Sequence, residues 1–262
     1  MKKWILIVGG LGALVAGAAA ALLVSINPIV EAGVNKFGPD ITGTHVFLKK
    51  ADISVFSGEG SLHEFTLGNP KGYTAPHAVK VGSVSVALDK DSLLEDVIVI
   101  KKIAIDSPDI IYEIGKKSNN FDDIIKNVEQ LGAARDKAAA QKQKEAAKSG
   151  ADAKEESAAK KVVIDELVIT NGKAAIRMPA LKLDFGADLP EIRIKDIGRE
   201  KGQSGVTMAQ AAQRVLKAVS SQLGSASKEA ISKARVSLTV GSEGLGKAAK
   251  DMGDKIKSLF GK

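Results

Sequence analysis

Residues 97–105 read Val97-Ile98-Val99-Ile100-Lys101-Lys102-Ile103-Ala104-Ile105. Side chains branched at Cβ are stiff at χ1 and fit a pleated surface, so this run reads as a strand. It passes from a portion apolar on both sides, before the lysine pair, into a portion with one apolar side. Just upstream, Val84, Val86 and Leu88 alternate with Ser83, Ser85 and Ala87, which is the two-residue period of a half-buried strand. Together these stretches make the core of the chain a sheet.

Working outward, shorter runs of the same kind occur at Val46 and Leu48, at Ile53 and Val55, and from Leu62 to Leu67. They are broken at Ser57-Gly58-Glu59-Gly60 and at Gly68-Asn69-Pro70-Lys71-Gly72, which read as turns. A second β-rich block spans 161–197, with Val163, Leu167 and Ile169, then Ala174, Ile176 and Met178, then Leu181, Leu183 and Phe185, then Ile192 and Ile194. Within it Asn171-Gly172 is a strong hairpin signal, whereas Met178-Pro179 and Asp188-Leu189-Pro190 are weaker breaks, so an antiparallel meander is expected.

Between the blocks, Asn120-Phe121-Asp122-Asp123 leads into Ile124, Ile125, Val128 and Leu131 at helical spacing. The adjacent Asp122 and Asp123 fit the positive end of a helix dipole. Beyond Leu131 the apolar residues are nearly all Ala, mixed with Lys, Gln and Glu up to Lys160, which reads as a solvated helix or linker inserted into the sheet. After the second block, Thr207 and Gln210 form a capping-box pattern ahead of Ala212, Val215, Leu216, Val219 and Leu223, a helix expected to pack on the sheet. The final stretch sets Leu245, Ala249, Met252, Ile256 and Leu259 beside Lys247, Lys250, Lys255 and Lys257. Such a basic amphipathic tail suits an anionic membrane surface or, equally, one end of the sheet.

At the N-terminus, Lys2 and Lys3 precede an uncharged run whose most apolar part is Trp4 to Ile26. As a helix that part is roughly 34 Å long, against a hydrocarbon core of about 30 Å. The small residues Ala18 to Ala21 also resemble a signal-peptide cleavage site, but Leu22, Leu23, Val24 and Ile26 extend the apolar run beyond it and favour an uncleaved anchor. The two lysines place the N-terminus in the cytoplasm, leaving the bulk of the chain outside a single-pass inner (plasma) membrane.

Composition narrows the chemistry. Among 262 residues there is no cysteine, which removes a disulfide framework, thiolate ligands, a Cys nucleophile and a lipoprotein acylation site. The net charge of +7 suits anionic headgroups, and with only 4% aromatic residues the lysines lack the stacking rings of nucleic-acid modules, so no nucleic-acid partner is expected. His45, His63 and His77 lack metal-ligand spacing, residues 68–72 lack the spacing of a phosphate-binding loop, and serines such as Ser57, Ser61 and Ser83 stand in no triad order. No enzyme is expected, and no cofactor.

The order of motifs resembles the AsmA-like membrane-anchored envelope proteins of bacteria, relatives of the repeating β-groove lipid-transfer proteins. The pieces are Ile26-Asn27-Pro28 after the initial apolar run, Ile41-Thr42-Gly43, Leu67-Gly68-Asn69-Pro70-Lys71-Gly72-Tyr73, the strand 81–88, and Ser92-Leu93-Leu94 leading into 97–105. Ser107-Pro108-Asp109-Ile110 and Ser118-Asn119-Asn120-Phe121 complete the series. The resemblance covers residues 1 to about 130 and, more loosely, 161–200. It implies an α+β, mainly β chain: a transmembrane anchor (1–30), a first β-rich block (31–128), a charged Ala-rich helix or linker (129–160), a second β-rich block (161–200) and C-terminal helices with the basic tail (201–262). The two blocks would form one curved antiparallel sheet, a β-groove, holding acyl chains on Val84, Val86, Leu88, Val99, Ile103, Ile105, Leu181, Leu183 and Phe185. Its partners would be membrane lipids, together with envelope proteins or further copies of the chain. The alternatives are that this face is simply core beneath the helix after Thr207, or that the protein is an envelope scaffold carrying no lipid.

Overall fold

The computed structural model describes residues 26–149, 160–200 and 204–240. The element order is helix α1 (26–42), strands β1 (Val46–Ile53), β2 (Glu59–Leu67), β3 (Val79–Leu88), β4 (Val97–Asp106) and β5 (Asp109–Glu113), and helix α2 (Asn120–Ser149). Strands β6 (Lys161–Thr170), β7 (Lys173–Met178), β8 (Leu183–Asp188) and β9 (Ile192–Ile197) follow, then helix α3 (Met208–Val240). All nine strands belong to one open sheet.

The sheet is mixed, which corrects the expectation of an antiparallel one. Strand β4 pairs with β6 in parallel and β5 with β7 in parallel, while the other pairings are antiparallel. The physical reason lies in the connection. Parallel neighbours need a long crossover, and the stretch from α2 to Lys160 supplies one. The Asn171-Gly172 hairpin signal is corrected as well. Strands β6 and β7 do not pair with each other; they form one bent line lying beside the bent line of β4 and β5.

The register carries unchanged through these bends. Val97 faces Lys161 before the bend and Asp109 faces Lys173 after it, at the same offset. Strand β3 runs along both β4 and β5, and β8 and β9 together run along β7 and β6. The bend residues Glu64, Gly82, Ser107, Asn171 and Pro190 therefore fall in one row across the sheet. Glu64, Ser107 and Asn171 have φ of 53°, 51° and 53°, the left-handed region used by bulged strands. An extra residue inserted at the same level in each strand creases the sheet while keeping apolar residues on one face. Leu48 and Ala51 are both buried across Lys49 and Lys50, as are Val81 and Val84 across Gly82 and Ser83.

A second row of extra residues explains the lysine pair. Lys101 and Lys102 lie level with Asp165 and Glu166 of β6 and with Lys195 and Asp196 of β9, where Asp196 has φ of 57°. Ile98, Ile100, Ile103 and Ile105 consequently all pack toward the same core. Before the lysines Val97 and Val99 on the other face are also half-buried, and Val163 opposite Val99 is buried, so the strand is covered on both sides at its start as expected, with a phase shift at the lysines.

That core lies between the sheet and the antiparallel pair α2 and α3. Phe121, Ile124 and Val128 from α2 meet Val219, Leu223 and Ile231 from α3 and Tyr112, Ile164, Leu167, Ile176 and Ile192 from the sheet. The capping box expected at Thr207 is present: Thr207 N donates to Gln210 Oε1 at 3.0 Å and Gln210 N to Thr207 Oγ1 at 3.3 Å.

Helix α1 was not foreseen over residues 31–42. It lies along the outer edge of β1, where Asn27, Glu31 and Asn35 occupy one stripe at four-residue spacing. Asn27 Oδ1 accepts from Ile53 N at 2.9 Å, Glu31 Oε1 from Ala51 N at 2.7 Å, and Asn35 Oδ1 from Leu48 N at 2.7 Å while its amide donates to Leu48 O at 2.9 Å. Gly38 continues the close approach, because a Cβ there would stand 2.7 Å from Val46 Cγ1. A strand edge that would otherwise offer unpaired amides is satisfied by side chains.

Candidate functional site

Strand pairing fixes which apolar side chains share a surface. Val84, Val86 and Leu88 of β3 stand opposite Ile105, Ile103 and Ile100 of β4, and Leu62 of β2 stands opposite Val84. Residues directly opposite in a pair project to the same face. Val84 is buried, whereas Leu62, Val86, Leu88, Ile98, Ile100, Ile103 and Ile105 are half-buried. Helix α3 contacts β6, β8 and β9, and α2 contacts β5 and α3. The helices thus lie chiefly over one half of the face and leave the β2–β4 half partly open among the described residues.

The nine residues singled out in the sequence are therefore divided. Val84, Val86, Leu88, Ile103 and Ile105 come together on the less covered half. Leu183 and Phe185 sit on β8 against Met178 and Ile176, with Leu181 in the 3-10 turn Pro179–Leu181, and all three pack on the core in the part that α3 reaches. Val99 pairs with Val163, between the core-facing Ile98 and Ile100, and so projects to the other face. Leu62, Ile98 and Ile100 join the surface without having been named for it. The alternation of Leu62 with Ser61 and His63 was the signal available for the first. Residues 1–25, and with them most of the expected membrane helix, lie outside the described residues, as do Lys247, Lys250, Lys255 and Lys257. Among the described residues, no helix is long and apolar enough to cross a membrane.

Polar groups near the sheet make local contacts. Ser61 Oγ and His63 Nε2 lie 2.8 Å apart on β2, on the face opposite Leu62, and among the described residues no carboxylate is hydrogen-bonded to that ring. His77 Nε2 lies 3.0 Å from Asp109 Oδ2, and His45 stacks on Phe47. Among the described residues, no three His, Asp or Glu side chains cluster as metal ligands would.

The sequence profile of the AsmA family matches residues 59–237, from β2 into the last turns of α3. The chain belongs to the AsmA family. No curated protein and no solved structure matches it. AsmA membership is consistent with an envelope-associated role.

Two of the AsmA-like motifs meet in space and explain each other. Asn120, fully buried at the start of α2, accepts from Glu113 N at 3.0 Å and Phe121 N at 3.1 Å, and donates to Ile111 O and to Asn69 Oδ1, each at 2.7 Å. Glu113, also buried, accepts from Thr74 N, Thr74 Oγ1 and Ala75 N. Tyr73 completes the clasp by donating its hydroxyl to Asp123 Oδ2 at 2.6 Å. Burial, then the Asp123 carboxylate, push the Tyr73 phenol well above the ordinary tyrosine range. In this AsmA chain the 67–73 and 118–121 motifs are thus a structural fastening between the loop after β2 and the start of α2. Asn119 caps that helix, its Oδ1 accepting from Asp122 N at 2.8 Å and its amide donating to Asp122 Oδ2 at 2.7 Å. Asp122 and Asp123 thereby serve the helix start.

Proposed function

We propose that this AsmA-family chain is a non-enzymatic envelope protein that shelters the acyl chains of membrane lipids on the less covered half of its sheet. It is held at the inner membrane by residues 4–26, with the described domain on the periplasmic side. The observation that carries the reading is the half-buried strip of Leu62, Val86 and Leu88 with Ile98, Ile100, Ile103 and Ile105, the four isoleucines bordering the core, on a face whose other half lies under α2 and α3. From Ile98 to Ile105 the strip is roughly 23 Å long at about 3.3 Å per residue. Each methylene removed from water is worth about 0.8 kcal/mol, so covering half of a sixteen-carbon chain stabilises it by roughly 6 kcal/mol. The headgroup stays in water. A single face of this size suits one chain or two, and delivery between membranes then requires partners or further copies.

The test is mass spectrometry of gently extracted protein, comparing the parent chain with Val86→Asp and Ile103→Asp. Lipid is expected with the parent and greatly depleted in both variants, each retaining a cooperative melt. Lipid-free parent protein, or lipid undiminished in folded variants, rejects the reading.

A second reading is favoured by a different observation. The outer edge of β8 and β9 carries no further strand among the described residues, whereas α1 occupies the opposite edge. A scaffold role in which a partner protein adds a strand there predicts crosslinks from that edge to another envelope protein, and lipid is then dispensable.

A further inference from the structure

Phe56 is 76% exposed and Ile29 64% exposed, the two most exposed large apolar side chains among the described residues. They lie at the same end of the molecule. Helix α1 runs antiparallel to β1, with Asn35 beside Leu48, Glu31 beside Ala51 and Asn27 beside Ile53, so each turn back along the helix steps toward the β1–β2 hairpin. Phe56 is three residues beyond Ile53, at the apex of that hairpin.

The apex is closed by its own backbone. Gly58 N donates to Ser54 O at 2.8 Å, Ser54 N to Glu59 O at 2.9 Å, and Gly58 takes a φ of 76°. Leu88 N donates to Gly58 O, tying the hairpin to the end of β3. The ring of Phe56 is therefore presented outward from a tightly closed loop. The first described residue of α1, Ile26, is the last residue of the apolar run 4–26 and lies at the end of the helix nearest this loop.

We propose that Phe56, with Ile29 on the outer side of α1 at the same end of the molecule, seats in the interfacial layer of the same bilayer that receives residues 4–26. The proposal rests on the reading of that run as the membrane segment. The clamp of α1 on β1 holds the hairpin tip where the chain leaves the bilayer, and an aromatic ring on a closed loop gains by leaving water there. The exposed side chains around the tip include the acidic Asp52, Glu59 and Asp91 as well as Lys90, so the contact is apolar and does not require anionic lipid. It orients the sheet with its β1–β2 turn toward the membrane and the clasp around Asn120 away from it.

The cysteine-free sequence permits a clean test. The full chain carrying Phe56→Cys, or Lys71→Cys in the exposed loop at the far end of β2, is labelled with an environment-sensitive fluorophore and reconstituted into phosphatidylcholine vesicles. Flotation with the vesicles reports on the membrane segment, and lipid-borne nitroxide quenchers report on the tip. The expected result is flotation of both proteins, with blue-shifted and quenched emission at position 56, unchanged in high salt, and aqueous emission at 71. Flotation with aqueous emission at 56 overturns the tip contact and spares the anchor. Failure to float overturns both. A blue shift at 56 that lipid quenchers leave untouched assigns the tip to a protein contact and also overturns the proposal.

Discussion

Asp106 stands at the end of β4, where the first crease crosses the sheet. Its carboxylate accepts from the Asn171 amide at 2.7 Å, from Thr170 Oγ1 at 3.0 Å and from Ser107 Oγ at 3.0 Å, so one side chain joins two bent strands at their bend. The Asn171 amide first, then the two hydroxyls, hold its carboxyl below the ordinary aspartate range. A depressed value means that this contribution is fully present above the unfolded aspartate pKa and fades as pH falls through the lower folded one. NMR titration of the side-chain carboxyl is expected to place Asp106 below a typical aspartate, and Asn171→Gly, which tolerates the left-handed backbone but lacks the amide, is expected to raise it. An unchanged midpoint would remove the amide as the cause. The same asparagine shows why a local signal misled. Asn-Gly reports a residue content to adopt positive φ, and a hairpin and a bulge both need one; which of them forms is decided by distant strands.

The stripe of Asn27, Glu31 and Asn35 makes α1 an edge cover for the sheet. Replacing all three by Ala is expected to lower stability by about 1 kcal/mol per neutral contact and somewhat more for the carboxylate. Hydrogen exchange is the sharper measurement, because the amides of Leu48, Ala51 and Ile53 should lose protection selectively; retained protection would mean that another group covers the edge. This element was hidden in the sequence although its spacing was visible, since polar residues four apart ordinarily face solvent. Elements with self-contained signals were legible: the Thr207 and Gln210 box, the helix from Asn120, and the strand character of 81–88 and 97–105. Their pairing was not, because β-branched content states that a strand forms and leaves its neighbour and direction open. The candidate face was half legible. Alternation picked out Val84, Val86, Leu88, Ile103 and Ile105, but the phase shift at Lys101-Lys102 put Val99 on the wrong side, and the reach of α3 over Leu183 and Phe185 is a long-range fact.

Across the whole molecule the two halves of one apolar face differ in how far the helices cover them. Leu223, fully buried between α3 and the sheet, belongs to the half that holds the fold together, so Leu223→Ala is expected to destabilise by roughly 2–5 kcal/mol. Val86, half-buried on the other half, is expected to cost no more than about 1 kcal/mol when shortened to Ala, because less area is lost from contact. Urea midpoints of the two variants measure the contrast, and equal losses would mean that both halves are packed core. The clamp of α1 has a consequence for how such a sheet varies in size. With the amides of Leu48, Ala51 and Ile53 already engaged, enlargement is polar: new strands can be added beyond β8 and β9 but not beyond β1. Each addition bent at the level of Asn171 would widen the sheet by one strand spacing while leaving the α1 end where it is.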